Sequence, residues 1–517
     1  MKRSYIYVTV FFSGMTALAV EMTASRLLGN VYGSSNLVWA SIIGLILVYL
    51  TLGYWLGGKL ADKKPTHQIF YRLLMWGSLT VGLIPMISRP ILRISANAFD
   101  QLFIPTLVGA FIAVMILFII PVTLIGMVSP FALKLVLRDT QSAGKMSGLL
   151  SAISTLGSFI GTFLPVMVLV PLIGTYRTFL FFSSLLMIVA TIGYFINAEL
   201  KSWLRLVWMP LVLILLWLFG TQGVDKATRN LIYETESAYN YIQVLEENDY
   251  FYLLLNEGQG IHSIYHPTQL YYSGPWSQVL VSPYFNPSME SANSVDHIAI
   301  IGLAAGTTAR QALTVFPDCE IDGFEIDPKI VAVGQEFFDM ANPHLTIYEQ
   351  DGRFGLAQSA KKYDIISVDA YRAPYIPWHL TTVEFFQLTY DRLTEDGVLV
   401  INIGQVPMDR TLVNDLGTTI GHVFPSIFVM DIPGSFNSIL FATKTPSSWE
   451  NFEANYVHVL QKSTNSLLIE AMTMTIQNQQ TTPKITRVYT DDKAPIEWVT
   501  NKIVIDFILS GYVEELP

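Results

Sequence analysis

The chain has only one cysteine, Cys319, among its 517 residues. A single thiol cannot form a disulfide framework within the chain or supply a cysteine cluster for a metal, and we predict no metal cofactor. Charged residues are also scarce, at 14% of the sequence, and the mean hydropathy is +0.43. These values exclude an ordinary water-soluble protein, and the length predicts at least two domains.

Acidic residues are rare in the first part of the chain. Residues 1–220 contain 15 Lys and Arg but only 5 Asp and Glu, whereas residues 221–517 contain 16 and 36. The net charges of the two parts are therefore +10 and −20. This division predicts a membrane domain, with the lipid bilayer as its partner, followed by an acidic water-exposed domain. The acidic second part argues against nucleic acid as a partner.

Long apolar runs fill residues 1–220, which we predict to be a multi-pass α-helical membrane domain. Seven runs are long enough to cross a bilayer. They lie near 5–25, 37–57, 69–88, 104–126, 148–170, 176–196 and 203–220. The last run is short, rich in Trp and contains Pro210, so it either crosses the bilayer or lies along its surface.

We predict that the protein lies in the cell membrane. The distribution of Lys and Arg between the loops predicts that its N-terminus is cytoplasmic. Seven crossings would place the second domain outside the cell, where nucleoside cofactors are scarce, and a miscounted or interfacial segment would return it to the cytoplasm. Glu21 interrupts the first apolar run, and Arg26 follows near its end. An acid in a membrane helix is costly, so Glu21 either pairs with Arg26 or forms an ion or substrate site.

The second part of the chain contains segments with the pattern of β-strands. Residues 221–292 predict a small antiparallel β subdomain with strands at 241–245, 250–255 and 261–265. From 293 to 517 strands alternate with helices, which predicts a Rossmann-like methyltransferase fold. The predicted strands are 297–303, 319–325, 344–349, 363–369, 397–403, 426–431 and 437–443. The predicted helices are 307–316, 328–340, 352–360, 382–394 and 410–422.

A glycine turn follows the first strand of this alternation. Gly302 and Gly306 bracket the turn, and Glu325 ends the next strand about twenty residues later. This spacing is typical of adenosine binding, in which the turn admits the ligand to the backbone and the acid accepts the ribose hydroxyls. The turn has no third glycine and no cation before Arg310 to receive a pyrophosphate. It therefore favours S-adenosylmethionine or its decarboxylated form over NAD, although an ordinary strand–turn–helix with a capping acid has the same pattern.

Acids also end the third and fourth strands, at Asp351, which Gly352 follows, and at Asp369. Ligands of open parallel sheets bind beyond the carboxyl ends of the strands, so Glu325, Asp351 and Asp369 should converge on one crevice. Three acids at one edge suit a cationic ligand such as a sulfonium nucleoside. Alternatively, the acids cap the helices that follow, and Asp369 fits this reading best.

Motifs in both parts resemble the membrane-spanning spermidine synthase-like family, also described as fused MFS/spermidine synthases. The motifs are Glu21 with 26–28, 57–62, 325–327, 351–353, 363–369, 376–382 and 490–497. The resemblance implies a polyamine aminopropyltransferase that moves an aminopropyl group from decarboxylated S-adenosylmethionine to a diamine such as putrescine. It also implies that Glu325 binds the ribose hydroxyls and that Asp351 and Gly352 lie beside the adenine.

The amine side of the family pattern is altered in this chain. Ala305 stands where the family's glycine loop has the Asp that holds the amine of the co-substrate. Arg372 stands where the family has the Asp that binds the diamine and accepts its proton. Arg372 would repel a diamine but could hold a carboxylate or phosphate. We predict Asp369 and Arg372 as catalytic candidates, and acceptor-binding residues at Asn240, Tyr272, Trp276, Arg372, His379, Asp491 and Asp492.

Three functions follow from these patterns, and an inactive scaffold is the alternative to all of them. The first is a membrane-anchored aminopropyltransferase, and the second is an S-adenosylmethionine-dependent methyltransferase that acts on an anionic or lipid-borne acceptor. The third is a transport or sensing protein whose Rossmann-like domain binds a regulatory ligand. The sequence leaves the acceptor open, and it does not decide whether the chain forms a homo-oligomer.

Overall fold

The computed structural model describes residues 2–32, 36–102, 106–137, 143–197, 204–220, 228–256, 260–287, 295–371, 376–405 and 409–509. The chain forms two compact units, Met1–Thr228 and Arg229–Pro517, each with its own hydrophobic core. The predicted fold class is confirmed, because the first unit is helical and the second combines a small antiparallel sheet with a Rossmann-like sheet.

The first unit consists of helices joined by short connections. The described helices are α1 Lys2–Tyr32, α2 Asn36–Lys63, α3 His67–Leu102, α4 Thr106–Gly126, α5 Val128–Val136, α6 Ala143–Leu164, α7 Val170–Ile173, α8 Thr175–Asn197 and α9 Trp208–Leu215. A π-helical turn at Pro165–Leu169 continues α6, and another at Leu216–Gly220 continues α9.

Within the described residues, six helical segments are long and apolar enough to cross a membrane. They are Ser4–Gly29, Val38–Lys63, His67–Leu92, Gly109–Val136, Ala143–Ile173 and Thr175–Asn197. The seventh predicted span, 203–220, differs: its helix covers only Trp208–Gly220 and is shorter than a bilayer requires. The prediction of seven crossings therefore exceeds what the helix lengths support.

Small residues bring α1 and α6 into direct backbone contact. A Cβ on Gly157 would lie 2.0 Å from the carbonyl oxygen of Phe11, and one on Gly161 would lie 2.0 Å from that of Met15. Ser158 Oγ donates a hydrogen bond of 3.1 Å to the carbonyl of Gly14. Close approach of this kind is how membrane helices associate without a hydrophobic driving force.

The second unit begins with an antiparallel sheet in the order β1–β2–β3–β4. Its strands are β1 Leu231–Glu236, β2 Tyr241–Glu247, β3 Tyr250–Leu255 and β4 Ile261–Tyr265. The last three coincide with predicted strands, whereas β1 was not predicted. No residue of β1 is fully buried, so it carries little of the apolar alternation that marks a strand.

The larger sheet has the order β12–β10–β11–β9–β8–β5–β6–β7 in the described part of the chain. Strands β7, β6, β5, β8 and β9 are parallel to one another, and β11, β10 and β12 complete the sheet with antiparallel pairing. The bounds are β5 His297–Ile301, β6 Glu320–Phe324, β7 Leu345–Tyr348, β8 Tyr363–Val368, β9 Leu393–Gly404, β10 Ser426–Asp431, β11 Asn437–Thr443 and β12 Gln479–Gln480. The carboxyl ends of β5, β6, β7 and β8 therefore share one edge.

Helices cover this sheet, and three of them were not predicted. The described helices are α10 Thr307–Val315, α11 Pro328–Phe337, α12 Gly352–Gln358, α13 Val383–Arg392, α14 Thr411–Ile420, α15 Trp449–Lys462, α16 Ser466–Gln477 and α17 Ile496–Leu509, with 3₁₀ helices at Pro275–Phe285 and Trp378–Leu380. The first five match predictions within a few residues. The segment Pro275–Phe285 is buried at every position after its first residue, so it shows no apolar periodicity.

Candidate functional site

The turn after β5 closes against the end of β8. Gly302 has a φ of +86°, and a Cβ there would lie 2.5 Å from the carbonyl oxygen of Asp369. A side chain at this position would be both strained and blocked, so only glycine fits. Gly306, at φ +85°, precedes the first residue of α10. The predicted turn thus lies at the edge of the sheet where ligands of this fold bind.

The carboxylate of Glu325, just after β6, contacts the same turn. One of its oxygens accepts a hydrogen bond of 3.0 Å from the backbone N–H of Ala304, and the other accepts one of 3.0 Å from that of Asp327. The side chain is 7% exposed, and burial raises its pKa to about 7. Each carboxylate oxygen can accept a second hydrogen bond, so Glu325 can take two more donors.

Strand β4 holds the turn from the other side. Ser263 Oγ accepts a hydrogen bond of 3.0 Å from the backbone N–H of Ala305. Thr307 Oγ1 accepts from the N–H of Ile264 and donates to its carbonyl, both at 2.9 Å. The small sheet therefore positions the glycine turn, and Ala305 is buried with no acidic group at its position.

Asn240, which directly precedes β2, is hydrogen-bonded to the loop that follows Glu325. Its Nδ2 donates a hydrogen bond of 2.9 Å to Oδ2 of Asp327, and its Oδ1 accepts one of 2.9 Å from Asn256. Asp327 also accepts from the Ser237 hydroxyl and begins α11 as its N-cap. The described contacts of Asn240 thus fix the loop between Glu325 and α11.

Asp351 starts α12 and also binds His379. Its Oδ1 accepts a hydrogen bond of 2.9 Å from the N–H of Phe354, and its Oδ2 lies 2.8 Å from Nε2 of His379. The hydrogen bond with His379 holds the pKa of Asp351 below its usual value. Gly352 lets α12 approach β5, because a Cβ there would lie 2.4 Å from Cγ2 of Ile301.

Asp491 is engaged by Arg353 in a bidentate ion pair. Both guanidinium–carboxylate distances are 2.7 Å, and Thr382 Oγ1 donates a third hydrogen bond of 2.7 Å. Arg353 also donates to the carbonyl of His379 at 2.9 Å, and its ion pair keeps the pKa of Asp491 low. Asp491 therefore braces the His379 segment, although both Asp491 and the neighbouring Asp492 are exposed.

Asp369 lies just after β8, beside the Gly302 turn. Its Oδ1 accepts a hydrogen bond of 2.9 Å from Nδ2 of Asn402, whose own Oδ1 accepts one of 2.8 Å from Asn437. Its Oδ2 has no hydrogen bond among the described residues. Burial raises the pKa of Asp369 to about 6, although the hydrogen bond with Asn402 opposes this. The group is thus a carboxylate at neutral pH with one oxygen open to a proton donor.

The structure brings the seven predicted nucleoside residues to one edge of the sheet. Gly302, Ala305, Gly306, Glu325, Asp351, Gly352 and Asp369 all follow the carboxyl ends of adjacent parallel strands. Glu325, Asp351 and Asp369 make this edge acidic, which favours a cationic ligand.

Two predicted acceptor residues, Tyr272 and Trp276, have their described contacts elsewhere. The hydroxyl of Tyr272 accepts from the N–H of His266 and donates to the carbonyl of Gln269. Trp276 is buried at the start of its 3₁₀ helix, beside Gly274. Arg372 lies outside the described residues.

Comparisons with known proteins agree with this geometry. The spermine/spermidine synthase domain family matches residues 286–451. A probable polyamine aminopropyl transferase of Bifidobacterium longum (strain NCC 2705) is 33% identical over 303 residues, which cover 54% of this chain and 64% of that protein. Residues 286–451 form a spermine/spermidine synthase domain.

Other similar proteins extend the comparison. Polyamine aminopropyltransferase 2 of Ralstonia nicotianae (strain ATCC BAA-1114 / GMI1000) is 25% identical over 427 residues, covering 77% of this chain and 78% of that protein. A spermidine synthase solved in complex with the transition-state analogue AdoDATO is 20% identical, with a TM-score of 0.39, and covers 49% of this chain and 84% of that one. The chain spans slightly less than two thirds of the Bifidobacterium relative.

The matched residues 286–451 contain the glycine turn and the three strand-end acids, so the match confirms the spermidine synthase-like domain predicted from the motifs. The sequence did not reveal Asn402, Asn437 or Arg353 as parts of the site. Asn402 is buried inside the apolar strand β9, and an amide there needs a polar partner. Asn402 is the single polar residue in 398–403, and this was the available sign in the sequence that a side chain of this strand forms a hydrogen bond with Asp369.

Proposed function

We propose that the second unit transfers an aminopropyl group from decarboxylated S-adenosylmethionine to an amine acceptor. The observation that carries this proposal is the placement of Glu325 against the Gly302 turn, with the open oxygen of Asp369 at the next strand end. The family resemblance supports the same reaction, and the acidic edge favours a sulfonium nucleoside over a neutral one.

The binding of the nucleoside would rest on Glu325 and Asp351. The two oxygens of Glu325 have acceptor capacity for the two ribose hydroxyls, and the Gly302 turn lets the ligand approach the backbone. Asp351 would lie beside the adenine, with His379 fixing its orientation. Contacts from the small sheet to the glycine turn and the Arg353–Asp491 ion pair would hold these residues in place.

Asp369 would accept the proton that the acceptor amine loses. The amine nitrogen forms a bond to the carbon beside the sulfonium, the carbon–sulfur bond breaks with its electron pair on sulfur, and methylthioadenosine leaves. A positioned carboxylate that takes up the proton typically contributes 10²–10⁴-fold to such a rate. Its pKa near 6 keeps Asp369 ionised at neutral pH while leaving it basic enough to act.

Arg372 bears on the choice of acceptor. A guanidinium is a permanent cation, so it repels the second ammonium of a diamine and attracts a carboxylate or phosphate. We therefore propose that an amine carrying an anionic group, whether free or lipid-borne, is preferred to putrescine. The substitution Arg372→Asp should shift the acceptor preference back toward putrescine.

Methyl transfer from S-adenosylmethionine is the second candidate. The observation that favours it is Ala305, which stands where the family has an acid that holds the amine of the co-substrate. Such an acid would repel the carboxylate of S-adenosylmethionine, and the alanine does not. An anionic or lipid-borne molecule would again be the acceptor.

A cytoplasmic location of the second unit would suit an enzyme that uses a nucleoside co-substrate. Six crossings would return the chain to the side on which it began, and the Lys and Arg distribution favours a cytoplasmic N-terminus. The second unit would then have access to the cytoplasmic nucleoside pool.

One assay separates these functions. Purified full-length protein is incubated with decarboxylated S-adenosylmethionine or S-adenosylmethionine and a panel of amines, and the nucleoside product is identified by mass spectrometry. Methylthioadenosine with the first co-substrate supports aminopropyl transfer, and S-adenosylhomocysteine with the second supports methyl transfer. Neither product with any acceptor would argue against both.

A further inference from the structure

The first unit contains a cavity lined by hydroxyl groups. Its volume is about 60 Å³, and it is bounded by α1, α2, α4, α5 and α6. A cavity that holds one water needs about 10–15 Å³, so this one accommodates a few waters or a small ammonium group. The hydroxyl-bearing residues that line it are Ser13, Tyr54, Ser129, Ser154 and Ser158. Oxygen atoms at this density in an otherwise apolar unit suit a hydrogen-bond donor or a small cation.

A proline leaves one backbone carbonyl beside this cavity without its helical hydrogen bond, although Met127, between α4 and α5, keeps helical angles of φ −63° and ψ −19°. Helix α4 ends at Gly126 and α5 begins at Val128, within one apolar span. Pro130 has no N–H, so it cannot donate the helical hydrogen bond to the carbonyl of Gly126. Gly126 and Val128 both line the cavity. A carbonyl without its helical donor can accept a hydrogen bond from a ligand instead.

Glu21 lies one helical turn from the cavity on the same face of α1. The cavity residues Gly14, Ala17 and Leu18 are spaced three and four apart, and Glu21 continues that spacing. Its side chain is only 7% exposed. It makes no hydrogen bond or ion pair with any residue that the structure describes, so pairing with Arg26 does not account for it. A buried acid of this kind in a membrane helix usually marks a functional site.

We propose that Glu21 and the hydroxyl-lined cavity form a binding site for an alkylammonium group within the membrane unit. The hydroxyl and carbonyl oxygens accept the N–H hydrogen bonds of the ammonium, and the carboxylate balances its charge. This site gives the helices a role in amine recognition beyond anchoring. It does not depend on the reaction proposed for the second unit.

The test is chemical labelling of Glu21 in full-length protein in lipid nanodiscs. An apolar carbodiimide reacts with a membrane-buried carboxyl group: the O–H adds across the carbodiimide, and the product rearranges to a stable N-acylurea. Modification of Glu21 is followed by peptide mass spectrometry with and without propylamine or putrescine. An amine at four times its Kd leaves about one fifth of the sites free, so the labelling rate should fall about fivefold.

Matched variants and cations define the site. Tetraethylammonium is a cation without N–H donors and should protect Glu21 much less than propylamine at equal ionic strength. Ser154→Ala should weaken the protection by propylamine, whereas Glu325→Gln should leave it unchanged, since that residue belongs to the transferase site. Failure of aminopropyl transfer alone would not affect these results.

Three outcomes would overturn the proposal. They are a labelling rate that amines do not change, equal protection by sodium and propylamine, and no modification of Glu21 at any pH from 5.5 to 8. Protection by sodium alone would assign the site to a metal cation and reject the ammonium assignment.

Discussion

Asn402 Nδ2 donates a hydrogen bond of 2.9 Å to Oδ1 of Asp369, and this contact orients the carboxylate beside the glycine turn. The direction of the Asn402 amide is fixed in turn by Asn437, which donates to its Oδ1. The same carboxylate would accept a proton during aminopropyl transfer, so the pair links the core of the sheet to the chemistry.

Replacing Asn402 should change the pH profile of the reaction. The hydrogen bond lowers the pKa of Asp369, so its loss in Asn402→Leu should move the acid limb of kcat/KM upward by about one unit. The measurement is kcat/KM between pH 5 and 9. Asn437→Ser, which leaves the contact with Asp369 in place, should shift the limb less. An unchanged limb in Asn402→Leu would show that Asp369 does not control it.

Binding of the nucleoside should require the ionised form of Glu325. Because the pKa of this group lies near 7, affinity should increase as the pH rises through neutrality. Glu325→Gln should bind about 10- to 100-fold more weakly, through the loss of two hydrogen bonds to a charged group, and its affinity should not vary with pH. Calorimetric titration with methylthioadenosine measures both effects. Glu320→Gln, an exposed acid at the start of β6, is the matched control and should behave as wild type.

The stability of the unliganded protein should respond to the same group with the opposite sign. Burial raises the pKa of Glu325 in the folded state, so its contribution to folding is complete below pH 4.5 and is lost as the pH rises through 7. The full effect is about 3 kcal/mol. The Tm of Glu325→Gln should therefore rise relative to that of wild type between pH 5 and pH 8. A constant difference would contradict the raised pKa.

The sequence predicted the contact between the glycine turn and its neighbouring acid better than the contacts between distant parts of the chain. Gly302 and Glu325 belong to one strand–turn–helix–strand segment, so their spacing alone places them together. Asp369 and Asn402 lie on different strands, and Asp491 reaches Arg353 across 138 residues. Contacts between residues so distant in the chain depend on tertiary packing, which no local pattern encodes. In the first unit, the segment 203–220 is as apolar as the predicted spans. Only the shorter length of its helix distinguishes it from them.

Asp491 and its neighbour Asp492 should differ in their effects. Asp491 holds Arg353, and Arg353 holds the His379 segment that orients Asp351. Asp491→Asn should therefore lower stability by about 1 kcal/mol and raise the KM for the nucleoside several-fold, with a smaller change in kcat. Asp492→Asn should leave both values close to wild type. Thermal unfolding and steady-state kinetics distinguish the two variants, and equal effects would indicate that Asp491 binds the acceptor directly.

The most direct test compares methylthioadenosine formation by wild type and Asp369→Asn, with nucleoside affinity measured on the same samples. The wild-type protein should form methylthioadenosine from decarboxylated S-adenosylmethionine and an amine. Asp369→Asn should be slower by about 10²–10⁴-fold, with nucleoside affinity close to that of wild type. No methylthioadenosine from the wild type with any amine, or equal rates for the two proteins, would contradict the role assigned to this site.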